Sequence, residues 1–178
     1  LEVGVGSGLN LPHYDRARVT RLYALDPSLE LQRLARQRAE AAGLPIEFIP
    51  VSSEKIPLPD ASADSIVITY TMCSIPDVGA ALTEMHRVLR PGGTLFVLEF
   101  SQPYRWFAPL YDFYLRHILP WFAAIVTGDK GAYDYLGGSI SQFPARPAMS
   151  AEILRAGFAE VHARPMTFGI VALHAARK

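Results

Sequence analysis

A short apolar run that ends in three glycines at alternate positions, Leu1-Glu2-Val3-Gly4-Val5-Gly6-Ser7-Gly8, constrains this chain more than any other stretch. It predicts a strand feeding a tight turn, with backbone bare enough for a ligand to lie against it. The spacing is G-x-G-x-G. A dinucleotide fingerprint wants Gly or Ala three residues after the second glycine, and Leu9 stands there. About 20 residues further on, a second apolar run ends in Ala24-Leu25-Asp26, which sets a carboxylate where a ribose diol could donate to it. Glycine loop and strand-end acid together predict a nucleoside-bearing ligand, with Gly4, Gly6 and Gly8 bringing backbone N–H groups close to it. The plainer alternatives are a turn that packs a helix on a sheet, and for Asp26 a helix cap. Glu2, an acid at a buried strand end, needs a cationic or donor partner. It is a candidate for a ligand ammonium, or else for the loop's own amides.

Size and charge narrow the class. The 178 residues suit a single domain, residues 1–178, with a sizeable core, and a composition half hydrophobic and 19% charged is not that of a disordered chain. Lys plus Arg and Asp plus Glu number 17 each, so no basic footprint predicts a nucleic-acid partner. Cys73 is the only cysteine, which excludes an internal disulfide and predicts a reducing, cytoplasmic setting. His13, His86, His117, His162 and His174 show no ligand spacing, so no metal site is expected. The first residue already lies in the first predicted strand, from which a missing N-terminal segment is expected.

Strand and helix signals alternate over the first hundred residues. Val19 to Leu25, Ile46 to Val51, Ser65 to Tyr70 and Thr94 to Phe100 read as strands. Between them, Ser28 caps a helix with Leu31, Leu34, Ala35 and Ala42 on one face, and Gly43 closes it. Asp77 caps another, with Val78, Leu82, Met85 and Leu89 inward and Pro91-Gly92-Gly93 at its end. Strand, helix, strand repeated in this way predicts an α/β fold, a parallel sheet with helices on both faces. Ligands of such sheets lie beyond the carboxyl ends of the strands, where the glycine loop, Asp26, Ser52, Ser53, Thr69, Tyr70 and Glu99 all fall. Ala151 to Ala156 reads as a last helix. Glu160 to Arg164 and Gly169 to Ala175 read as an antiparallel pair that ends the sheet.

Tyr104 to Phe122 breaks the pattern. It is dense in aromatics and reads as one or two helices interrupted near Pro120. With Arg105, Asp112 and Arg116 inside it, the segment is too short and too charged to span a bilayer, which takes roughly 20 apolar residues. Residues 103–148 read either as an insertion that lids a greasy substrate, with Asp112, Arg116 and His117 as its polar groups, or as plain core packing.

Leu1 to Gly8, Leu25-Asp26, Ile56-Pro57-Leu58-Pro59-Asp60 and Glu84 to Gly93 resemble the successive motifs of class I S-adenosylmethionine-dependent methyltransferases. Leu98-Glu99-Phe100-Ser101, Tyr111-Asp112-Phe113-Tyr114, His117-Ile118-Leu119-Pro120, Tyr133-Asp134-Tyr135-Leu136, Ser139-Ile140 and Gly169 to His174 resemble the ubiquinone/menaquinone biosynthesis C-methyltransferases. The resemblance runs the whole length, short of that family's N-terminal helices. It implies a Rossmann-like sheet of seven strands with an antiparallel last strand. It also implies S-adenosylmethionine as cofactor, with contacts on Ser7, Asp26, Ser52, Ser53 and Thr69.

The implied reaction is methyl transfer to a hydrophobic, lipid-like acceptor, first of all C-methylation of a polyprenyl quinone precursor, with contact at a membrane surface left open. Leu9 stands where the family carries an acid, and Thr71-Met72-Cys73-Ser74 where it carries Gly-Leu-Arg-Asn or a near variant. The loop through Asn10 and the stretch Cys73-Ser74-Ile75-Pro76-Asp77 also resemble phospholipid N-methyltransferases and thiol or lipid methyltransferases. Ring methylation needs an ionised ring hydroxyl, so a general base would help. Asp112, His117 and Tyr70 are the candidates. N- or S-methylation asks less of the protein. A non-catalytic cofactor-binding subunit and a nicotinamide dehydrogenase complete the alternatives.

Overall fold

The computed structural model describes residues 1–118 and 144–178. Its strands are β1 (Glu2–Val3), β2 (Leu22–Leu25), β3 (Ile46–Ile49), β4 (Ala63–Thr69), β5 (Leu89–Phe100), β6 (Glu160–Met166) and β7 (Val171–Arg177). They form a seven-stranded sheet in the order β3-β2-β1-β4-β5-β7-β6. β1 to β5 pair in parallel, while β7 runs antiparallel to both β5 and β6, as the sequence pattern predicts. The chain moves outward from β1 to β3 and then returns to place β4 on the other side of β1. That reversal opens a crevice at the carboxyl ends of β1 and β4, where open α/β sheets bind ligands.

Among the described residues the helices are α1 (Leu29–Ala42), α2 (Val78–Val88), α3 (Ala108–Phe113) and α4 (Arg146–Arg155). Alternation along the strands sorts the core onto two faces. Val3, Leu25, Ile68 and Val97 pack with Leu82 and Met85 of α2 and Ile153 of α4. Leu22 and Ala24 pack with Ala35 and Ala39 of α1 on the opposite face. Helices therefore cover both faces.

Local sequence explains most boundaries. Ser28 Oγ accepts the Leu31 N–H at 3.3 Å, and Gly43 ends α1 in the left-handed region at φ 59°, ψ 35°. Asp77 Oδ1 accepts the Ala80 N–H at 2.9 Å to start α2. The buried face of α1, however, is Gln32, Ala35 and Ala39; Leu31 and Leu34 are 40% and 37% exposed. The small side chains bring the helix close to the sheet, and Gln32 is satisfied there by donating to the Asp26 carbonyl at 2.7 Å. Strand β2 starts at Leu22 rather than Val19, because Arg18 and Val19 donate to the Asp15 carbonyl in a turn. Pro91-Gly92-Gly93 does not lie between helix and strand. β5 already begins at Leu89, and the ladder with β4 absorbs the three residues as an irregularity between the Ala63 and Ser65 pairings. Helix α4 starts five residues before the predicted Ala151, with Pro147 in its first turn, where no intrahelical donor is needed.

Of the aromatic run, α3 continues into a wider π turn at Tyr114–Ile118. Phe107 packs on Phe168 with ring centroids 5.0 Å apart, while Trp106 is 69% exposed. The predicted break near Pro120 and most of the predicted insertion at 103–148 lie outside the described residues. Among the described residues no helix is long and apolar enough to cross a membrane.

The placement of α1 gives a direct check. Leu34→Ala should leave the unfolding free energy within about 0.5 kcal/mol of wild type, since an exposed side chain contributes little. Ala35→Leu should lower it by about 1–3 kcal/mol by overpacking the helix–sheet contact. Urea denaturation of both variants reads the difference, and the reverse order would put the wrong face inward.

Candidate functional site

The crevice is a cavity of about 750 Å³ lined by the glycine loop, the ends of β1, β2 and β4, and the turns that follow β3 and β4. Gly4 turns the chain out of β1 at φ 72°, and the Gly4 and Val5 amides both donate to the Leu25 carbonyl, at 2.8 and 3.0 Å. β1 is therefore only two residues long, and the loop opens at once over the cavity. A Cβ on Gly4 would lie 2.2 Å from the Thr71 side chain, so only glycine lets these two segments meet. Gly6, at φ 52°, has nothing within 4 Å of where its Cβ would stand and faces the cavity. Gly8 has a different part. Its Cβ would press on Leu11 and on Ala35 of α1 at 2.9 and 3.0 Å, so it serves close packing rather than the cavity.

Asp26 ends β2 almost buried, at 7% exposure. Its Oδ2 accepts the Gly6 N–H and its Oδ1 the Ser28 N–H, each at 2.8 Å. A carboxylate has about four acceptor positions, so capacity remains for a diol. Cavity and cap are thus both true of Asp26: one side chain ties the glycine loop to the start of α1.

Glu2 is 1% exposed and lines the cavity floor. It does not cap the loop amides. Oε1 accepts Asn10 Nδ2 at 3.0 Å and Oε2 accepts the Tyr14 hydroxyl at 2.9 Å. Asn10 also donates to Thr69 Oγ1 at 3.2 Å, which joins the ends of β1 and β4 through side chains. Burial pushes the Glu2 carboxyl above its ordinary value of 4.5, with the Tyr14 and Asn10 bonds pulling it back.

Ser7, Ser52, Ser53 and Thr69 line the cavity as well. Ser53 is buried, while Ser52 is exposed and donates to Glu54. Tyr70 follows β4 in the left-handed region, at φ 50°, which throws its ring into the cavity wall against Phe100, with centroids 4.8 Å apart. Burial, then the nearby Glu99, pushes the Tyr70 hydroxyl above its usual value of 10. Asp112 and His117 are not brought there. Both are exposed, on α3 and on the π turn, and neither lines the cavity; His117 packs instead on Phe113, with centroids 4.9 Å apart.

Several contributors escaped the sequence reading. Asn10 and Tyr14 hold Glu2, and Arg38 donates to the Ser7 carbonyl; Glu99, which the strand pattern did set at the ligand edge, holds the turn after Tyr70. The partners of Glu2 lie in an irregular loop, where no periodicity marks which side chains turn inward. Among the described lining residues, the charged side chains are Glu2 and Asp26, with no Lys, Arg or His. Such a wall suits a cationic ligand. It offers no counter-charge to the pyrophosphate of a dinucleotide. The open space over Gly6, the strand-end acid and the acidic floor together fit S-adenosylmethionine, which carries an adenosine, a sulfonium and an amino acid. Among the described residues no three His, Cys, Asp or Glu side chains gather to hold a metal ion.

Known proteins agree with this geometry. Residues 7–178 match the ubiE/COQ5 methyltransferase family. A demethylmenaquinone methyltransferase of Thermus thermophilus is 36% identical over 176 residues, which cover 98% of this chain and 80% of that protein. The ubiquinone/menaquinone biosynthesis C-methyltransferase UbiE of Rickettsia bellii is 36% identical over 186 residues, 100% of this chain and 75% of that one. Among solved structures, a SAM-dependent methyltransferase from Aquifex aeolicus shares the fold at a TM-score of 0.68 and 20% identity, over 99% of this chain and 79% of that one.

The glycine at position 6 separates folding from binding. Gly6→Ala should cost roughly 1–2 kcal/mol for the left-handed backbone. It should also weaken S-adenosylhomocysteine binding by about tenfold or more, because the methyl enters the ligand's space. Calorimetric titration beside a thermal melt checks both, and unchanged affinity would remove the ligand from the loop.

Proposed function

The chain belongs to the ubiE/COQ5 methyltransferase family and is an S-adenosylmethionine-dependent methyltransferase, and we propose that it methylates a ring carbon of a polyprenyl quinone precursor. One observation carries the acceptor: in the wall of a cofactor cavity whose described lining holds no cation, Tyr70, backed by the Phe100 ring, presents an aromatic surface suited to a ring-bearing substrate. The relatives whose names state quinone methylation support the same reading.

Bound S-adenosylmethionine supplies an electrophilic methyl on a sulfonium centre. The residues of the chain then divide the remaining work. Asp26 would accept from the ribose hydroxyls, Glu2 would hold the ammonium, Ser52 and Ser53 would border the adenine, and Ser7 and Thr69 would complete the polar lining. Gly4 and Gly6 keep the backbone low enough for this, and Gly8 serves by packing the loop on α1. The apolar flanks, Leu31, Val51 and Ile75, exclude water from the reacting centre.

At the acceptor, Tyr70 is the ionisable side chain among the described lining residues that is not already tied up as Glu2 and Asp26 are. Its raised pKa keeps it protonated at neutral pH, so it acts as a hydrogen-bond donor to a developing ring oxyanion rather than as a base. Asp112 and His117 are exposed and do not line the cavity, so the described geometry gives neither that part.

The same shortage of a base favours a second reading. An amine or thiol acceptor needs less activation than a ring carbon, and Leu9, 69% exposed at the cavity rim, offers an apolar contact where a base would otherwise stand. A phospholipid head group or a small thiol would then be methylated.

Methyl-labelled S-adenosylmethionine incubated with the protein and a total lipid extract decides between them, with Asp26→Ala as the control. Label in the quinone fraction, lost in the control, is the expected result. Label in the phospholipid fraction would replace the first reading with the second. Tyr70→Phe should lower kcat on the order of 10²-fold while leaving S-adenosylhomocysteine affinity unchanged. An unchanged kcat would dismiss Tyr70 from the chemistry.

A further inference from the structure

Glu99 lies at the carboxyl end of β5, 0% exposed, behind the cavity wall rather than in it. Among the described residues its hydrogen-bond donors are all backbone amides. Oε1 accepts the N–H groups of Thr71 and Met72, the latter at 2.6 Å, and Oε2 accepts that of Phe100 at 3.3 Å. Among the described residues no cation pairs with it. A buried carboxylate without a counter-charge among the described residues is a costly way to satisfy three amides, which points to the geometry it fixes.

We propose that Glu99 is a positioning residue for methyl transfer: its carboxylate fixes the turn Tyr70–Met72, and through Thr71 the distance between that acceptor-side turn and the glycine loop. The chain leaves β4 through the left-handed Tyr70, whose amide still bonds to the Leu98 carbonyl at 2.9 Å. The next two amides have passed the last ladder bond and point into the protein, where no strand carbonyl meets them. Glu99 takes both, and charge-assisted bonds hold them more firmly than a neutral acceptor would.

Thr71, so held, sits on Gly4 at a separation no Cβ would allow, with Oγ1 donating to the Thr69 carbonyl at 3.0 Å and lying 3.5 Å from the Gly4 carbonyl. A shift of the turn therefore reaches the cofactor loop directly. Burial raises the Glu99 carboxyl above its ordinary value, the three amides opposing, which agrees with a group held by dipoles and not by an ion pair. The proposal rests on the reading that Tyr70 faces the acceptor.

Three substitutions test it in the full chain. Glu99→Asp withdraws the carboxylate by one methylene, Glu99→Ala removes it, and Glu99→Gln keeps one oxygen as acceptor. Cooperative melts establish which variants are folded at the assay temperature. In folded protein, Asp and Ala should lower kcat for label transfer to total lipid extract by about tenfold or more. They should also weaken S-adenosylhomocysteine binding by about fivefold or more. Gln should recover most of both.

Thr71→Ala, which keeps the bonds to Glu99 but opens the contact with Gly4, should weaken binding too, and it replaces the first two variants if they do not fold. Wild-type affinity and kcat in folded Asp or Ala variants, with only the melting temperature lowered, would reduce Glu99 to a structural part. A folded Gln variant as impaired as Ala would overturn positioning in favour of charge. Label in phospholipid rather than quinone would sink the acceptor reading and leave this test intact. If wild type transferred no label at all, the S-adenosylhomocysteine affinities alone would decide.

Discussion

Carboxylates at strand ends that accept hydrogen bonds from the loops around them hold the carboxyl edge of this sheet in shape. Asp26 at the end of β2 takes the Gly6 amide of the loop after β1. Glu99 at the end of β5 takes the Met72 amide of the turn after β4. Glu2 at the end of β1 takes Asn10 and Tyr14 from the loop that follows. In a parallel sheet the loops at this edge have lost their ladder partners, and buried amides must find acceptors. Side-chain oxygens supply them, and the cavity keeps its form because they do.

The same choice sets the charge of the site. Two acids and no base in the described wall make the cavity a cation receptor, which serves a sulfonium cofactor and disfavours phosphate ligands. It also leaves the protein poor in proton acceptors where the methyl is delivered. Tyr70, held protonated by burial and by Glu99, can steady a negative oxygen without creating one. An acceptor that ionises easily, or a nucleophile that needs no ionisation, suits such a site best.

What the sequence made legible follows from how local each signal is. Ser28, Gly43 and Asp77 act within one turn of chain, and each caps where its neighbours predict. The alternation of strands and helices, read with the glycine loop and Asp26, places the cavity correctly. The exposed Leu31 and Leu34 were misread because hydrophobicity outweighed size: α1 approaches the sheet through alanines, and its leucines are left outside. Asp112 and His117 have the chemistry of a base and sit in a family-like motif, and nothing in a one-dimensional pattern shows that both lie exposed outside the cavity lining. The clamp by Glu99 joins residues 27 positions apart across two strands, and only the register between β4 and β5 brings them together.

The turn after Tyr70 has one more property. Met72 is 1% exposed and wedged into the core, whereas Cys73 and Ser74, which follow it in the same short helical turn, are exposed. The turn is thus bolted down at one residue and bare at the next two, one of which, Ser74, borders the cavity. Changes at those two positions would touch neither the core nor the backbone bonds of Glu99. A lineage built on this scaffold can exchange what it accepts there almost independently of what it needs to stay folded.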